Sequence, residues 1–403
     1  MKNLILSLDI GTNNIRGVLV NESKPDEIIN SLTKESLGVS KSVIKYPEET
    51  MNALDRFVSE IEASVNSTVN RIICTIGGDN LKCIINRGTA FVSDSSKNEV
   101  TKEDVEKAIN SARQNVSLTQ NEKILHTVAQ KFYVDKLKGV QSPVGMIGNR
   151  LEAECLFVYT FCPDHKNLEQ VLKKTQNQVC QINASTLAGA QACLTKQEKE
   201  SGVIAIDLGA GTTGFSVYED GCLVYTKVLP ISQNHVRNDI GICFKVSQQV
   251  AEMLKRNQSC AFSKNIDKKE TISLKEYNGE DRRISKKELA EVTASRFEDI
   301  FDTISKELEA IGKTGKLPGG AVLYGGGAQT KGIVELAKYK LNLPVRLAQA
   351  QYSNFTTQDL GYIPVLGSLK MYLNNQDFSS EGTLGSGGFF KKLSRRFNEI
   401  MPL

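Results

Sequence analysis

The sequence has little that would assign it to several common protein classes. Its nine cysteines include no C-x-x-C pair, which argues against a zinc site or a disulfide framework and favours reduced thiols in the cytosol. Its net charge of +4 is too small to predict a nucleic-acid partner. The histidines His126, His165 and His235 are scattered along the chain, so they do not predict a metal site with neighbouring acidic residues.

Long hydrophobic runs are also missing. No run approaches the roughly 20 apolar residues of a membrane span. Residues 1–3 lead directly into a short apolar run that ends at Asp9, so we expect no secretory signal. The hydrophobic content of 40% and the charged content of 24% are typical of a soluble globular protein. A chain of 403 residues exceeds one comfortable core, so we expect at least two lobes.

What the sequence does contain is an acidic, glycine-rich turn between two apolar runs at residues 203–217. This pattern predicts a β-hairpin whose first strand ends near Asp207. The backbone N–H groups and hydroxyls of such a turn can bind phosphate oxygens, and the Asp207 carboxylate can hold a hydrated Mg²⁺. The candidate binding residues are Gly209, Ala210, Gly211, Thr212 and Thr213. An ordinary glycine-rich hairpin is the alternative, because short glycine motifs give many false positives.

The same element occurs again at residues 4–20, where Asp9 takes the place of Asp207. A third cluster, residues 321–332, has the pattern of a strand, a triple-glycine turn and a helix start. The internal repeat predicts two similar half-folds that close on one polyphosphate. These two segments add the candidate binding residues Gly11, Thr12, Asn13, Asn14, Gly325, Gly326, Gly327 and Gln329.

The C-terminal segment has a different character. Residues 374–388 have the composition of a flexible linker. Residues 389–401 place bulky apolar side chains in one sector of a helix, at about 100° per residue, with basic side chains opposite. A basic amphipathic helix on a loose tether predicts binding to an anionic membrane surface, whereas docking on the body or on a partner protein is the alternative. The candidate membrane residues are Phe389, Phe390, Lys391, Lys392, Leu393, Arg395, Arg396, Phe397 and Ile400.

The motifs resemble those of the actin, heat-shock-protein and hexokinase ATPase superfamily, and more closely those of the FtsA family of bacterial cell-division proteins. The superfamily resemblance rests on the two Asp-x-Gly hairpins and on residues 323–328. The FtsA resemblance rests on residues 124–135, 143–146 and 150–152 and on the basic C-terminal helix. Together these segments span nearly the whole chain.

This resemblance implies an α/β, actin-like two-lobed fold, built from duplicated ribonuclease-H-like domains, with an inserted small α/β subdomain and a C-terminal amphipathic helix. The implied subdomains are IA (1–79 and 162–200), the insert IC (80–161), IIA (201–235 and 319–373) and IIB (236–318), followed by the linker 374–388 and the membrane helix 389–403.

The resemblance also implies ATP bound between the lobes, with Mg²⁺ near Asp9 and Asp207. Glu252 and Lys255 match a Glu-x-x-Lys pair that contacts adenosine in the superfamily; a helix salt bridge is the alternative. Gln191 matches a helix position that orients the attacking water, so hydrolysis would use Gln191 and Asp207. An exposed polar residue on a helix is the alternative interpretation of Gln191.

Three positions depart from the family pattern. Asn14 stands where the family usually has a phosphate-contacting lysine, Gly214 replaces an acidic residue, and Ser232 and Gln233 replace a glycine pair. Loss of a cation beside the phosphates weakens transition-state stabilisation. We therefore expect ATP binding with slow or negligible turnover.

The implied function is that of a protein that polymerises on the cytoplasmic side of the cell membrane at the division site, anchors FtsZ filaments there and recruits other division proteins. The FtsZ C-terminal tail is expected on residues 236–318, where Arg296 is the candidate for pairing with acidic tail residues. A solvated helix charge is the alternative for Arg296. A PilM-like pilus-assembly scaffold and a sugar or acetate kinase are the alternative functions; the basic C-terminal helix argues against both.

Overall fold

The computed structural model describes residues 3–93 and 98–376. All the candidate membrane residues, from Phe389 to Ile400, lie outside these ranges. The strands are β1 (Leu4–Ile10), β2 (Asn14–Asn21), β3 (Lys24–Glu35), β4 (Val39–Ser40), β5 (Val43–Ile44), β6 (Arg71–Ile76), β7 (Lys82–Phe91), β8 (Glu122–Val134), β9 (Leu137–Val140), β10 (Arg150–Phe161), β11 (Gln178–Ala184), β12 (Val203–Leu208), β13 (Thr213–Glu219), β14 (Cys222–Leu229), β15 (Thr271–Ser273), β16 (Arg283–Ser285), β17 (Ala321–Tyr324), β18 (Val345–Leu347), β19 (Ala350–Tyr352) and β20 (Phe355–Thr357).

The helices are α1 (Pro47–Val65), α2 (Lys102–Gln114), α3 (Cys162–Lys173), α4 (Ser185–Cys193), α5 (Lys196–Ser201), α6 (Gln233–Phe244), α7 (Gln248–Gln258), α8 (Lys275–Asn278), α9 (Lys286–Ala310), α10 (Ile333–Leu341) and α11 (Ile363–Gln376). Within the described ranges, none of these helices is both long and apolar enough to cross a bilayer.

Two five-stranded sheets have the same topology. Their strand orders are β3-β2-β1-β6-β11 and β14-β13-β12-β17-β18. In each sheet an antiparallel three-stranded meander supplies the central strand, and two parallel strands follow it. The structure therefore confirms that the repeat seen in the sequence forms two equivalent half-folds.

The half-folds share one hydrophobic core. The central strands β1 and β12 are apolar along almost their whole length because both faces of their sheets are covered. Helices α4 and α11 pack closely on each other, and a Cβ atom on Gly367 of α11 would overlap the carbonyl oxygen of Ala188. The Ser7 hydroxyl also donates a hydrogen bond, 2.8 Å long, to the carbonyl of Val365. This packing fixes the two central strands relative to each other.

A separate small unit is inserted after β6. Its sheet has the order β7-β10-β8-β9, and α2 packs on it to enclose a second apolar cluster. The residues 101–104 have the sequence pattern of a capping box, and the structure confirms it, since Thr101 and Asp104 exchange hydrogen bonds at the start of α2. The sequence of residues 80–92 predicts a strand, a turn and a second strand. This prediction is wrong, because β7 is one strand that pairs with β10 along its whole length.

Other boundaries differ from the sequence predictions. The sequence predicts a helix over 167–178, but this helix begins earlier, at Cys162, and ends at Lys173, and Gln178 already belongs to β11. The sequence also predicts a strand over 271–277, but these residues are divided between β15 and α8. The last helix continues to Gln376, into the segment predicted as linker, because polar residues at its end do not stop a helix that is anchored by packing upstream. The sequence predicts that Ser285 caps a long helix over 286–311, and the structure confirms this helix as α9, which ends at Ala310.

Candidate functional site

The two acidic turns meet at the ends of the central strands β1 and β12. The first turn is closed by a hydrogen bond of 3.0 Å from the Gly11 N–H to the Asn14 carbonyl. In the second turn, a Cβ atom on Gly211 would overlap the Thr12 hydroxyl of the first. The two predicted turns are therefore in direct contact, each from its own half-fold.

Asp9 is supported on two sides. The Thr75 hydroxyl, at the end of β6, donates a hydrogen bond to its carboxylate. Arg16 is its cross-strand partner on β2 and is itself bound to Asp359, with 2.8 Å between Nε and Oδ2. Burial raises the pKa of Asp9, while the Thr75 hydrogen bond and the charge of Arg16 act in the opposite direction.

Asp207 has less support. No described residue donates a hydrogen bond to its carboxylate, and its cross-strand partner is Gly214. A Cβ atom on Gly325 would overlap Asp207 Oδ1, and Gly325 has φ of 81°, so this position requires glycine twice over. Burial and the charge of Asp9 raise the pKa of Asp207 to about 8. A cation bound between Asp9 and Asp207 would relieve this unfavourable pairing of carboxylates.

A short hairpin tip that the sequence did not identify also lies in the site. It consists of Lys41 and Ser42, between β4 and β5. The Ser42 N–H donates to the Thr12 hydroxyl at 2.9 Å, and the Ser42 and Thr212 hydroxyls are 3.2 Å apart. The tip therefore contacts both acidic turns.

The second turn is anchored by the start of α6. The backbone N–H of Asn234 donates to the carbonyl of Ala210 at 3.0 Å, and that of Gln233 donates to the carbonyl of Gly209 at 3.3 Å. The Gln233 side-chain amide donates to the carbonyl of Leu208 at 2.9 Å. This side chain fills space beside the triple-glycine turn, where a glycine would leave room.

The triple-glycine turn lies beside the same strand end. A Cβ atom on Gly327 would lie 2.8 Å from the side-chain amide nitrogen of Gln233, and one on Gly326 would lie 3.6 Å from it. The Gln329 side-chain amide donates a hydrogen bond to the carbonyl of Gln358 at 2.6 Å, so this side chain is bound to the neighbouring loop. Gly325, Gly326 and Gly327 are thus brought to the second acidic turn, while the Gln329 side chain is held by its own chain.

The remaining turn residues have structural contacts of their own. The Thr213 hydroxyl donates to the carbonyl of Ile231 at 2.8 Å, which ties the start of β13 to the segment before α6. The Asn13 carbonyl accepts from the Ser36 N–H at 2.9 Å. Thr213 and Asn13 thus lie in or beside the acidic turns, where these hydrogen bonds stabilise the conformation of the turns.

Helices α6 and α7 present a polar cluster next to the second turn. Lys255 and Glu252 form an ion pair of 2.7 Å on one face of α7, and the Lys255 side chain is only 9% exposed. Burial lowers the pKa of Lys255, although the charge of Glu252 raises it. On α6, buried Asn234 Oδ1 and Arg237 Nε have no hydrogen-bond partner among the described residues. Buried polar atoms without partners are costly, so this cluster fits a polar ligand.

Gln191 is not brought to the site, contrary to the sequence prediction. Its side-chain oxygen accepts from Lys199 Nζ at 2.9 Å, and that ammonium lies 5.2 Å from the ring centroid of Tyr218. Tyr218 pairs with Val203, at the opposite end of β12 from Asp207. The error arose because α4 begins at Ser185, so Gln191 lies almost two turns along the helix.

Ser185 is the α4 residue that lies at the site. A Cβ atom on Gly77 would be 3.0 Å from Ser42 Cβ and 3.3 Å from the Ser185 hydroxyl. A hydroxyl residue between a strand and a helix was the only sequence signal available. Ser42 and Thr75 had no comparable signal, since nothing local marks a contact across the fold.

Arg296 lies on α9, away from the acidic turns. Its guanidinium contacts Asp239 of α6 at 2.8 and 3.2 Å, and Asp299 of its own helix at 3.2 Å. Its side chain is 29% exposed. The proposed partner residue is therefore accessible, but carboxylates of the same chain already bind it.

The donor set of the site limits what it can hold. No described group of three or more His, Cys, Asp or Glu residues could bind a metal ion by itself. A hard cation at Asp9 and Asp207 would complete its oxygen shell with water or ligand oxygens, as Mg²⁺ commonly does. The hydroxyls of Thr12 and Thr212 and the turn amides suit the phosphate oxygens of the same ligand.

Comparison with solved structures shows the actin-like fold. The PilM–PilN type IV pilus biogenesis complex matches with a TM-score of 0.61 at 13% identity, covering 92% of this chain and 98% of that chain. MreB5 of Spiroplasma citri bound to ADP matches with a TM-score of 0.57 at 16% identity, covering 94% and 99%. At these identities the likeness is one of fold alone.

Sequence comparison shows the family. Residues 204–367 match the family model described as cell division protein FtsA, and residues 78–159 match the SHS2 domain inserted in FtsA. Cell division protein FtsA of Pseudomonas aeruginosa is 32% identical over 348 residues, which cover 85% of this chain and 82% of that protein. This protein therefore belongs to the FtsA family of cell-division proteins.

Proposed function

We propose that this protein binds ATP with Mg²⁺ between its two lobes and polymerises on the cytoplasmic side of the cell membrane at the division site, where it anchors FtsZ filaments and recruits other division proteins. The observation that carries the nucleotide proposal is the contact between the two acidic turns. Membership of the FtsA family supports the division role, and the ADP in the MreB5 structure supports nucleotide binding by this fold.

Different residues of the site would bind different parts of the ligand. Asp9 and Asp207 would hold Mg²⁺, which when bound neutralises part of the phosphate charge. The Thr12 and Thr212 hydroxyls and the turn amides bind phosphate oxygens. The adenosine portion would lie against the α6–α7 cluster, where Asn234 Oδ1 and Arg237 Nε have no protein partner among the described residues and can form hydrogen bonds with it.

Turnover is expected to be slow or absent. Asn14 carries no charge at the position where the family has a lysine, and Gln191 is held by Lys199 at the far end of β12. Asp207 is then the one residue of the predicted catalytic pair that lies at the turns. A site with fewer preorganised charges stabilises less of the charge that develops during phosphoryl transfer.

Nucleotide binding is tested on the full chain by isothermal titration with ATP in the presence and absence of Mg²⁺. We expect Mg²⁺-dependent binding that Asp207→Asn abolishes. Asp220→Asn, in the exposed turn between β13 and β14, is the matched control and should bind normally. A wild-type protein that takes up no adenine nucleotide would refute this part of the proposal.

Membrane attachment is tested by flotation with vesicles that contain anionic lipid. Removal of residues 389–403 should abolish flotation, and charge reversal at Lys391 and Lys392 should weaken it strongly, because basic residues near an anionic surface each contribute about 1 kcal/mol. Exchange of Arg395 and Arg396 for lysine preserves charge and should have little effect. Equal flotation of the truncated and full-length chains would contradict the assignment.

The FtsZ contact is tested by binding of an acidic FtsZ tail peptide. Arg296→Glu should reduce its affinity, whereas Asp239→Asn should raise it, because the guanidinium would lose its strongest internal competitor. Tail affinity unchanged in both variants would exclude Arg296 as the contact. The likeness to PilM is one of fold at 13% identity, so it does not favour the pilus-assembly alternative.

A further inference from the structure

The β4–β5 tip has an unusual backbone for its sequence. Lys41 and Ser42 have φ values of 51° and 58°, so two consecutive non-glycine residues are left-handed. Two-residue hairpin turns with this geometry usually use asparagine and glycine. Residues in sparsely populated backbone regions cluster at binding and catalytic sites, where the surrounding structure holds them. The position of this tip agrees with that tendency.

The tip is held between the two acidic turns. The Ser42 N–H donates a hydrogen bond to the Thr12 hydroxyl, and the Ser42 hydroxyl lies 3.2 Å from the Thr212 hydroxyl. A Cβ atom on Gly211 would lie 2.9 Å from Lys41 Cα. On the other side, a Cβ atom on Gly77 would be 3.0 Å from Ser42 Cβ. An element of the first lobe therefore reaches the phosphate-binding turn of the second.

The charges around the turns are mostly committed to protein partners. Arg16 is paired with Asp359, and Lys255 is paired with Glu252. Lys41 is exposed and forms no ion pair with another described residue. Apart from the Mg²⁺ proposed between the two carboxylates, the terminal phosphates of a polyphosphate meet the uncharged Asn14 here, so a protein cation has to come from another element of the site.

We propose that the β4–β5 tip is a third phosphate-binding element, in which the ammonium of Lys41 contacts the terminal phosphates and supplies the charge that Asn14 lacks. This inference rests on the proposed binding of ATP between the lobes. Lysine has a flexible four-carbon stem with three donors, which suits a contact made by a hairpin tip. Because Coulomb attraction grows with ligand charge, Lys41 favours ATP over adenosine.

The test compares affinities of the full chain for ATP and for adenosine, in Mg²⁺. Lys41→Asn removes the charge but suits the left-handed backbone, since asparagine adopts it readily. We expect about a tenfold loss of ATP affinity, the size of one charge-assisted contact, with adenosine affinity unchanged. Lys41→Arg should stay close to wild type. Lys45→Asn, an exposed lysine just after β5, is the matched control.

The outcomes separate this inference from the proposed function. A wild-type chain that binds no ATP would refute the proposed function itself. If the wild type binds ATP and Lys41→Asn binds it equally well, Lys41 is not a phosphate contact. The same conclusion follows if the affinities of Lys41→Asn for ATP and for adenosine fall by the same factor. Lys41→Gln, checked for an unchanged melting temperature, repeats the measurement with a second neutral side chain. Selective loss of ATP affinity in both neutral variants supports the tip as a phosphate-binding element.

Discussion

The turns around Asp9 and Asp207 have the same topology but different side-chain support. Arg16 stands opposite Asp9 across the hairpin, whereas Gly214 stands opposite Asp207. Thr75 donates a hydrogen bond to Asp9, and no described residue does so to Asp207. The repeat thus reproduces the backbone of a carboxylate turn without reproducing its electrostatics.

Packing explains why the second turn carries no cation opposite its carboxylate. A Cβ atom on Gly214 would lie 2.7 Å from a methyl group of Thr186, in the first turn of α4. No longer side chain fits there without moving that helix. Burial and the charge of Asp9 raise the pKa of Asp207 to about 8, and no hydrogen bond from a described residue offsets this, so Asp207 depends more than Asp9 on a cation delivered with a ligand.

The largest effect is expected where the two turns touch. Gly211→Ala would place a methyl group on the Thr12 hydroxyl and against Lys41, and overpacking of this kind costs about 1–3 kcal/mol. We expect a lower melting temperature and a loss of ATP binding. Gly326→Ala is the control for the melting temperature, because its Cβ would meet only the Gln233 amide, at 3.6 Å. Equal tolerance of both substitutions would show that the turns are not in contact.

The support of the first turn is tested by Arg16→Gln. This change removes the contact with Asp359 and the charge that acts on both carboxylates, and we expect unfolding to become easier by about 2 kcal/mol. Arg16→Lys retains the charge without the guanidinium fork and should lose less. Chemical denaturation measures both. If glutamine and lysine behave alike, the charge of Arg16 has no part in supporting Asp9.

The difference between the carboxylates is tested directly by Asp9→Asn and Asp207→Asn. Each replaces a buried acid, whose charged form burial disfavours, by a neutral amide, so both should stabilise the protein in the absence of nucleotide. Asp207→Asn should do so more, by about 1 kcal/mol, because no hydrogen bond compensates its carboxylate. Thermal unfolding without nucleotide, with Asp220→Asn as control, gives the order. A larger gain from Asp9→Asn would reverse the comparison.

The smallest effect is expected at Gln191. Gln191→Ala removes a hydrogen bond with Lys199 and should cost about 0.5–1 kcal/mol of stability. ATP affinity and any residual turnover should stay unchanged, because the side chain lies at the opposite end of β12 from Asp207. Measurement of phosphate release by the variant and the wild type checks this. A marked fall in turnover would restore Gln191 to the site.

Much of this architecture was accessible from local patterns. Apolar runs with acidic, glycine-rich turns identified both hairpins, and hydroxyl caps at Thr101 and Ser285 identified the starts of α2 and α9. Such signals are local, since a turn or a cap depends on residues within a few positions of one another. The repeat then indicated two lobes, and the resemblance indicated the family, which the comparisons confirmed.

The composition of the site required three-dimensional packing. Lys41 and Ser42 reach the turns from the β4–β5 tip and Thr75 reaches them from β6, while Ser185 of α4 lies beside the tip. No short-range pattern relates these residues to Asp9 or Asp207. Gln191 was misplaced for the same reason, because its direction depends on where α4 begins and on how α4 packs against α11. The binding groups within one turn are determined by residues that are neighbours in the sequence. The contacts between turns are determined by how the helices and sheets pack against one another.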